Sequence, residues 1–323
     1  MADSSWTWDE ALRGVIPPMI SPLTEAHLVD QAAVGRVVDY ILAGGCSGLF
    51  VLGGVGEGAW LSSAQRAHVV EATVRSAAGR APVLVGVMLP GTAPAREAAL
   101  QAADAGADAL VVGSPYYFVA DAASQRRHVE AILSATSLPV LLYNIPQCTH
   151  VPLAREAVQA LSTEQRVMGV KDSWGDLPFF QSLLTLKQAR PDFRVLQGHE
   201  HAAMASLLLG ADGLIPGLGN VAPRLLVSLV RAARAGDVAA CKLVHGQIFE
   251  LTGIYTNTAG LAGLYAACAL LGLASNVPAE PWAPVGDADL PAIETILRQH
   301  DLLPLASARS LASRLRSIDG NRA

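Results

Sequence analysis

Cysteine is sparse and unpatterned. Cys46, Cys148, Cys241 and Cys268 are the only four in 323 residues, with no C-x-x-C pair and no histidines at ligand spacing. That usage excludes a disulfide framework and a structural zinc site, and it points to a reducing compartment. Charge is scarce too, at 16% of residues, and 23 basic against 28 acidic side chains leave a net charge of −5 with no basic run. Nucleic-acid binding is not expected, because it needs clustered Lys and Arg. The tail Arg309 to Arg322 carries several arginines and reads as a solvated helix end. The first ten residues, MADSSWTWDE, contain no apolar signal-peptide core, so a cytoplasmic location is expected. The one long uncharged span, Leu251 to Ala279, is broken by Thr252, Thr256, Asn257, Thr258 and glycines, which reads as buried helices and not as a membrane anchor.

What is present is apolar and rhythmic. Hydrophobic residues make up 51% of the chain, and short runs rich in Val, Ile and Leu recur: Gly14 to Ile20, Gly48 to Leu52, Pro82 to Val87, Ala109 to Val112, Pro139 to Tyr143, Val167 to Lys171, Phe193 to Leu196 and Asp212 to Ile215. Such runs suit strands buried on both faces of a parallel sheet covered by helices. Helical segments lie between them, including Ser62 to Ala78 and Ala95 to Ala105. Eight β-α units predict an α/β fold, a (β/α)₈ TIM barrel over residues 13–222. Residues 223–323 form a C-terminal helical extension that packs on the barrel and is not an independent domain.

In the stretch GLFVLGGVGEGAWL, residues Gly54 to Ala59 satisfy the dinucleotide fingerprint G-x-G-x-x-(G/A). A dinucleotide also needs an acid at the tip of the next strand, and the strand Pro82 to Val87 ends in Met88-Leu-Pro-Gly91 without one. No cofactor is therefore expected. Glycines after a strand still allow backbone N–H groups to face a carboxylate or phosphate, although a tight turn with no ligand fits the same letters.

Barrel chemistry gathers where strands finish. The polar residues at those ends are Glu57, Tyr116, Tyr117, Tyr143, Lys171, His199 and Glu200. Alternation along Val167-Met-Gly-Val-Lys171 puts Val167, Gly169 and Lys171 on one side, and if that side is the lumen, the desolvated amine becomes a nucleophile able to form a Schiff base with a ketone. The plainer alternative is a lysine that reaches solvent or pairs with Asp172. A phenol at Tyr143, on the adjacent strand end, is placed to move a proton, or simply to pack in the core. His199-Glu-His201 has no evident third ligand, so it reads as pocket residues and no metal is expected.

The ordered set Gly53-Gly-Val-Gly-Glu57, Pro115-Tyr-Tyr117, Tyr143-Asn-Ile-Pro146, Gly169-Val-Lys171 and Gly210-Ala-Asp-Gly-Leu-Ile215 resembles the dihydrodipicolinate synthase and N-acetylneuraminate lyase superfamily of class I pyruvate-dependent aldolases. The resemblance runs from about Arg13 to about Pro223. It implies a (β/α)₈ barrel assembled as a homotetramer of tight dimers, acting on a small-molecule 2-oxo acid. Lys171 would carry the Schiff base, Tyr143 would shuttle the proton and Tyr117 would reach into the neighbouring subunit's site. Gly54 and Val55 would hold the substrate carboxylate, with Cys148, Gly198, His199, Glu200 and Ile215 completing the substrate site.

Two positions depart from the superfamily. Most members have a hydroxyl pair where this chain has Gly54-Val55, and the synthases place a substrate-binding arginine where Tyr143-Asn-Ile-Pro-Gln-Cys-Thr149 has Cys148. Without that cation a true dihydrodipicolinate synthase is not expected. Val170-Lys-Asp-Ser-Trp-Gly-Asp176 is closer to the form of 2-keto-3-deoxy sugar acid and 4-hydroxy-2-oxoglutarate aldolases. Three readings follow: an aldolase releasing pyruvate and an aldehyde, a sugar acid dehydratase using the same lysine, or a degenerate barrel that binds a 2-oxo acid without turnover.

Overall fold

The computed structural model describes residues 6–256 and 260–303. Seven strands, β1 (Leu49–Val51), β2 (Val83–Gly86), β3 (Ala109–Gly113), β4 (Val140–Asn144), β5 (Val167–Asp172), β6 (Arg194–Gln197) and β7 (Gly213–Leu214), form one parallel sheet in chain order. Almost every strand residue is buried, as expected of continuous apolar runs covered on both faces. Each strand from β1 to β6 is followed by helical structure, and the helices after β1, β3 and β5 start on side-chain caps. Ser62 and Gln65 form a reciprocal capping box, and Asp121 and Asp176 accept from the backbone N–H groups of Ser124 and Phe179.

The first expected strand is not one. In Gly14 to Ile20 only isolated parallel bridges form, Val15 with Leu214 and Pro18 with Phe50. The Ile16 N–H donates to the Leu214 carbonyl (2.9 Å) and the Met19 N–H to that of Phe50 (2.7 Å). Pro17 and Pro18 lack an N–H, so no continuous ladder develops. The segment nonetheless touches both edges of the sheet, β7 and β1.

Strand side chains divide into two apolar groups. Val51, Val85, Val112, Leu142, Val170 and Val195 pack against the helices, whereas Phe50, Leu84, Val111, Leu141, Tyr143, Leu196 and Ile215 meet one another on the inner face. Between β4 and β5 the register slips: Val140 pairs with Val167, but Leu141 pairs with Gly169. Met168 is the extra residue of a bulge. Val167 consequently packs outward with the helix-facing group, contrary to the simple alternation that put it beside Lys171, while Gly169 and Lys171 keep the inner face opposite Leu141 and Tyr143.

The later helices, Pro223–Arg234, Val238–Leu251, Ala262–Leu270 and Leu290–Gln299, share one apolar cluster with the outer strand face. Ala262–Leu270 is buried over most of its length. Among the described residues no helix is long and apolar enough to cross a membrane. Asn257 and Thr258 of the long uncharged span, and the arginine-bearing tail Arg309 to Arg322, lie outside the described residues.

Candidate active site

Lys171 sits near the end of β5, opposite Tyr143 on β4 and Leu196 on β6. It is only 2% exposed. Its amine lies 4.1 Å from the centroid of the Tyr143 ring and 5.1 Å from that of Phe50. Burial on this inner face lowers the amine to about 7, against the opposing pull of Glu200 and Cys148. The Tyr143 phenol is pushed in the other direction, upward, by its own burial, with the Ser173 hydroxyl pulling against it.

Asp172 is not the partner of Lys171. It follows on the opposite face of the strand, where its Oδ1 accepts from Asn144 Nδ2 at 2.6 Å. Burial raises this carboxyl to about 6, and among the described residues its Oδ2 has no hydrogen-bond partner.

The strand ends approach so closely that residue 198 has no room for a side chain. A Cβ on Gly198 would fall 2.1 Å from Ser173 Oγ and 2.5 Å from Lys171 Cε. Ser173 Oγ is itself buried, with no hydrogen-bond partner among the described residues. Next along the chain, the His199 N–H donates to Gln197 Oε1 (2.8 Å), and its Nδ1 is another buried atom without a partner. Glu200 Oε1 accepts from the Leu218 N–H at 3.2 Å. The His201 ring packs on that of His199 and meets Thr252 Oγ1 at 3.0 Å.

After β1 the loop Gly53-Gly-Val-Gly-Glu-Gly58 turns tightly. A Cβ on Gly58 would lie 2.3 Å from the Leu52 carbonyl, so the turn requires glycine there. Among the described residues the N–H groups of Gly54 and Val55 donate to nothing. The loop is pinned from behind: Tyr265 donates to Glu57 Oε2 (2.7 Å) and to the Val55 carbonyl (3.2 Å), and the Ala279 N–H also reaches Glu57 Oε2 (2.7 Å). Burial raises the Glu57 carboxyl to about 7 despite these donors.

A cavity of about 440 Å³ opens over this floor. Gly54, Glu57, Tyr116, Tyr143 and Cys148 are in its lining, together with Trp60, Met88, Ile145, Leu261 and Trp282. Lys171 is not itself in this lining, but Tyr143, whose ring centroid is 4.1 Å from the Lys171 amine, is. Ile215 is fully buried in the inner cluster with Phe50 and Tyr143, so it supports the floor and does not line the cavity. Tyr117 is not brought to the site of its own chain: it is 84% exposed, at φ +80°, with its ring edge-on to Phe118. Ser173, Met88, Trp282 and Tyr265 were not among the expected site residues. Ser173 was visible in Val-Lys-Asp-Ser, but Tyr265 meets Glu57 across 208 positions with no local signal.

With this geometry in place, the comparisons with known proteins are decisive for the family. Residues 11–300 match the dihydrodipicolinate synthetase family. The chain belongs to that family. It is 34% identical over 244 residues to the probable 2-dehydro-3-deoxy-D-pentonate aldolase YjhH of Escherichia coli (strain K12), covering 75% of this chain and 81% of that one. It is 35% identical over 242 residues to the 4-hydroxy-tetrahydrodipicolinate synthase of Salinibacter ruber, covering 74% and 79%. Among solved structures, YagE from E. coli K12, crystallised with pyruvate, superposes with a TM-score of 0.85 at 31% identity over 90% of this chain and 99% of that one. As a dihydrodipicolinate synthetase family member, the chain is a pyruvate-dependent carbon-carbon lyase.

Proposed function

We propose that the protein is a class I aldolase that uses Lys171 to cleave a 4-hydroxy-2-oxo acid into pyruvate and an aldehyde, or runs the condensation. The carrying observation is the buried Lys171 amine, brought near neutrality by burial and set against the Tyr143 ring. A neutral amine attacks the C2 carbonyl, Tyr143 gives its phenol proton to the departing hydroxyl so that water leaves, and an iminium forms beside the phenolate. Tyr143 takes the proton of the C4 hydroxyl as the C3–C4 bond breaks, and the bonding pair moves into an enamine as the aldehyde departs. Protonation at C3 and addition of water then release pyruvate and restore the amine.

The unengaged N–H groups of Gly54 and Val55 are the donors for the substrate carboxylate, a backbone substitute for the missing hydroxyl pair. Ser173, whose buried hydroxyl acts on the Tyr143 phenol, supplies the nearby hydroxyl that this pair does not. Glu200 acts in this reading through its charge on the Lys171 amine, and neither it nor His199 is in the cavity wall.

We read residues 13–222 as a (β/α)₈ barrel in which the segment from Gly14 closes the sheet between β7 and β1, with residues 223–323 as its helical extension. Tyr117, Phe118 and Val119 are each about four-fifths exposed in succession. That apolar run supports a homotetramer of tight dimers, with Tyr117 entering the neighbouring site. Four free thiols suit the cytoplasm.

Product analysis on a panel of 4-hydroxy-2-oxo acids, 2-keto-3-deoxy acids included, tests this reading. Release of pyruvate supports the aldolase. Loss of water without pyruvate points to a dehydratase using the same lysine.

A further inference from the structure

We infer that the aldehyde half of the site is built for an apolar aryl or alkyl aldehyde, and not for a sugar-derived or charged one. The inference rests on the Schiff-base reading above and adds the class of the second product. Its ground is the wall of the 440 Å³ cavity, where Trp60, Met88, Ile145, Leu261 and Trp282 surround the approach to Tyr143. Trp60 and Trp282 meet edge to face with centroids 4.5 Å apart, leaving ring surface for a third aromatic group.

Two polar members of the lining are engaged with the protein. Thr149 Oγ1 donates to the carbonyls of Ile145 (3.1 Å) and Val151 (2.8 Å). Glu57 Oε2 is taken by Tyr265 and the Ala279 N–H, leaving Oε1 free. That leaves Glu57 Oε1, the Tyr116 and Tyr143 hydroxyls, the Cys148 thiol and the indole N–H groups of Trp60 and Trp282 to meet whatever enters. A polyhydroxylated chain would exchange water for carbon at several hydroxyls, an unfavourable trade when the lost hydrogen bonds are not replaced. A carboxylate-bearing aldehyde would find no cation, because the wall contains no Lys, Arg or His. Arg66, which acts on the Tyr116 phenol, is outside the wall and donates to the Leu61 carbonyl at 2.7 Å. The partnerless Ser173 Oγ and His199 Nδ1 are outside it as well.

In the condensation, C3 of the pyruvate enamine bonds to the aldehyde carbon, the aldehyde oxygen takes a proton from Tyr143, and water releases the 4-hydroxy-2-oxo acid from Lys171. The apolar substituent stays in the slot throughout.

The test is the steady-state condensation of pyruvate with benzaldehyde, butanal, D-glyceraldehyde, glycolaldehyde and succinic semialdehyde, with borohydride trapping of pyruvate run in parallel. The slot predicts kcat/KM for benzaldehyde or butanal at least about tenfold above that for D-glyceraldehyde. Equal or better use of a hydroxylated or charged aldehyde overturns it. An enzyme trapped at Lys171 that turns over none of the five also overturns the slot while leaving the Schiff base standing. Absence of both trapping and turnover removes the two together.

Discussion

The amine of Lys171 faces the ring of Tyr143 at 4.1 Å from its centroid, across two directly paired strands. An aromatic face attracts a cation, yet burial outweighs that attraction and leaves the amine at about 7. Below that value the group is protonated and cannot attack a carbonyl. Schiff-base formation with pyruvate should therefore rise with pH and level off above an apparent value near 7, measured by quenched borohydride reduction. Glu200 holds the amine up, so Glu200→Gln should move that limb to lower pH. An unmoved limb would separate Glu200 from the amine.

Gly198 should be intolerant of any side chain. The methyl of Gly198→Ala would lie 2.1 Å from Ser173 Oγ and 2.5 Å from Lys171 Cε, and displacing a reacting group by about 1 Å costs roughly a hundredfold in rate. The expected variant is folded by circular dichroism, with kcat/KM down by about that factor. Near-normal kcat/KM would contradict the crowded geometry.

The Ser173 hydroxyl is buried near enough to the Tyr143 phenol to oppose the upward push of burial on it, and it has no other partner among the described residues. Ser173→Ala should keep borohydride trapping at Lys171 but slow deuterium exchange into the pyruvate methyl group, followed by proton NMR, by roughly a hundredfold. Ser173→Thr should restore it. Exchange as fast as in the wild type would leave Ser173 a bystander.

Glu57 gives a stability signature. Its folded value of about 7 is above the ordinary 4.5, so the folded state holds the proton more tightly than the unfolded chain. The associated stability is fully present below about 4.5 and is lost as pH rises through about 7. Asp172, raised to about 6, acts in the same direction. Wild-type Tm should fall between about pH 5 and pH 8, and Glu57→Gln should shrink that fall by roughly 2–4 °C. An undiminished fall in the variant would place the titration elsewhere.

Much of this was legible in the sequence because strand periodicity and loop glycines are local signals. The runs ending at Tyr143 and Lys171 carried the β-α rhythm and the two principal chemical groups. Two errors had local physical causes. Pro17 and Pro18 interrupted the first expected ladder, and the bulge at Met168 turned Val167 outward while leaving Lys171 on the inner face. What could not be read was long-range. The Tyr265 hydroxyl on Glu57 and the Trp60–Trp282 contact join residues more than two hundred positions apart, and neither has a spacing rule. Tyr117, read as a site residue, is solvent-exposed in the single chain, so nothing in the chain's own fold brings it to the site.

The most direct test of the central claim is borohydride reduction of the enzyme with pyruvate, followed by peptide mapping. The chain has only three lysines, Lys171, Lys187 and Lys242, so the assignment is unambiguous. Lys187 is held by Asp212 at 2.9 Å and serves as an internal control. The account predicts a single reduced pyruvate adduct on Lys171, abolished by Lys171→Ala. A folded protein with Lys171 unmodified, or with the adduct on Lys187 or Lys242, would contradict it.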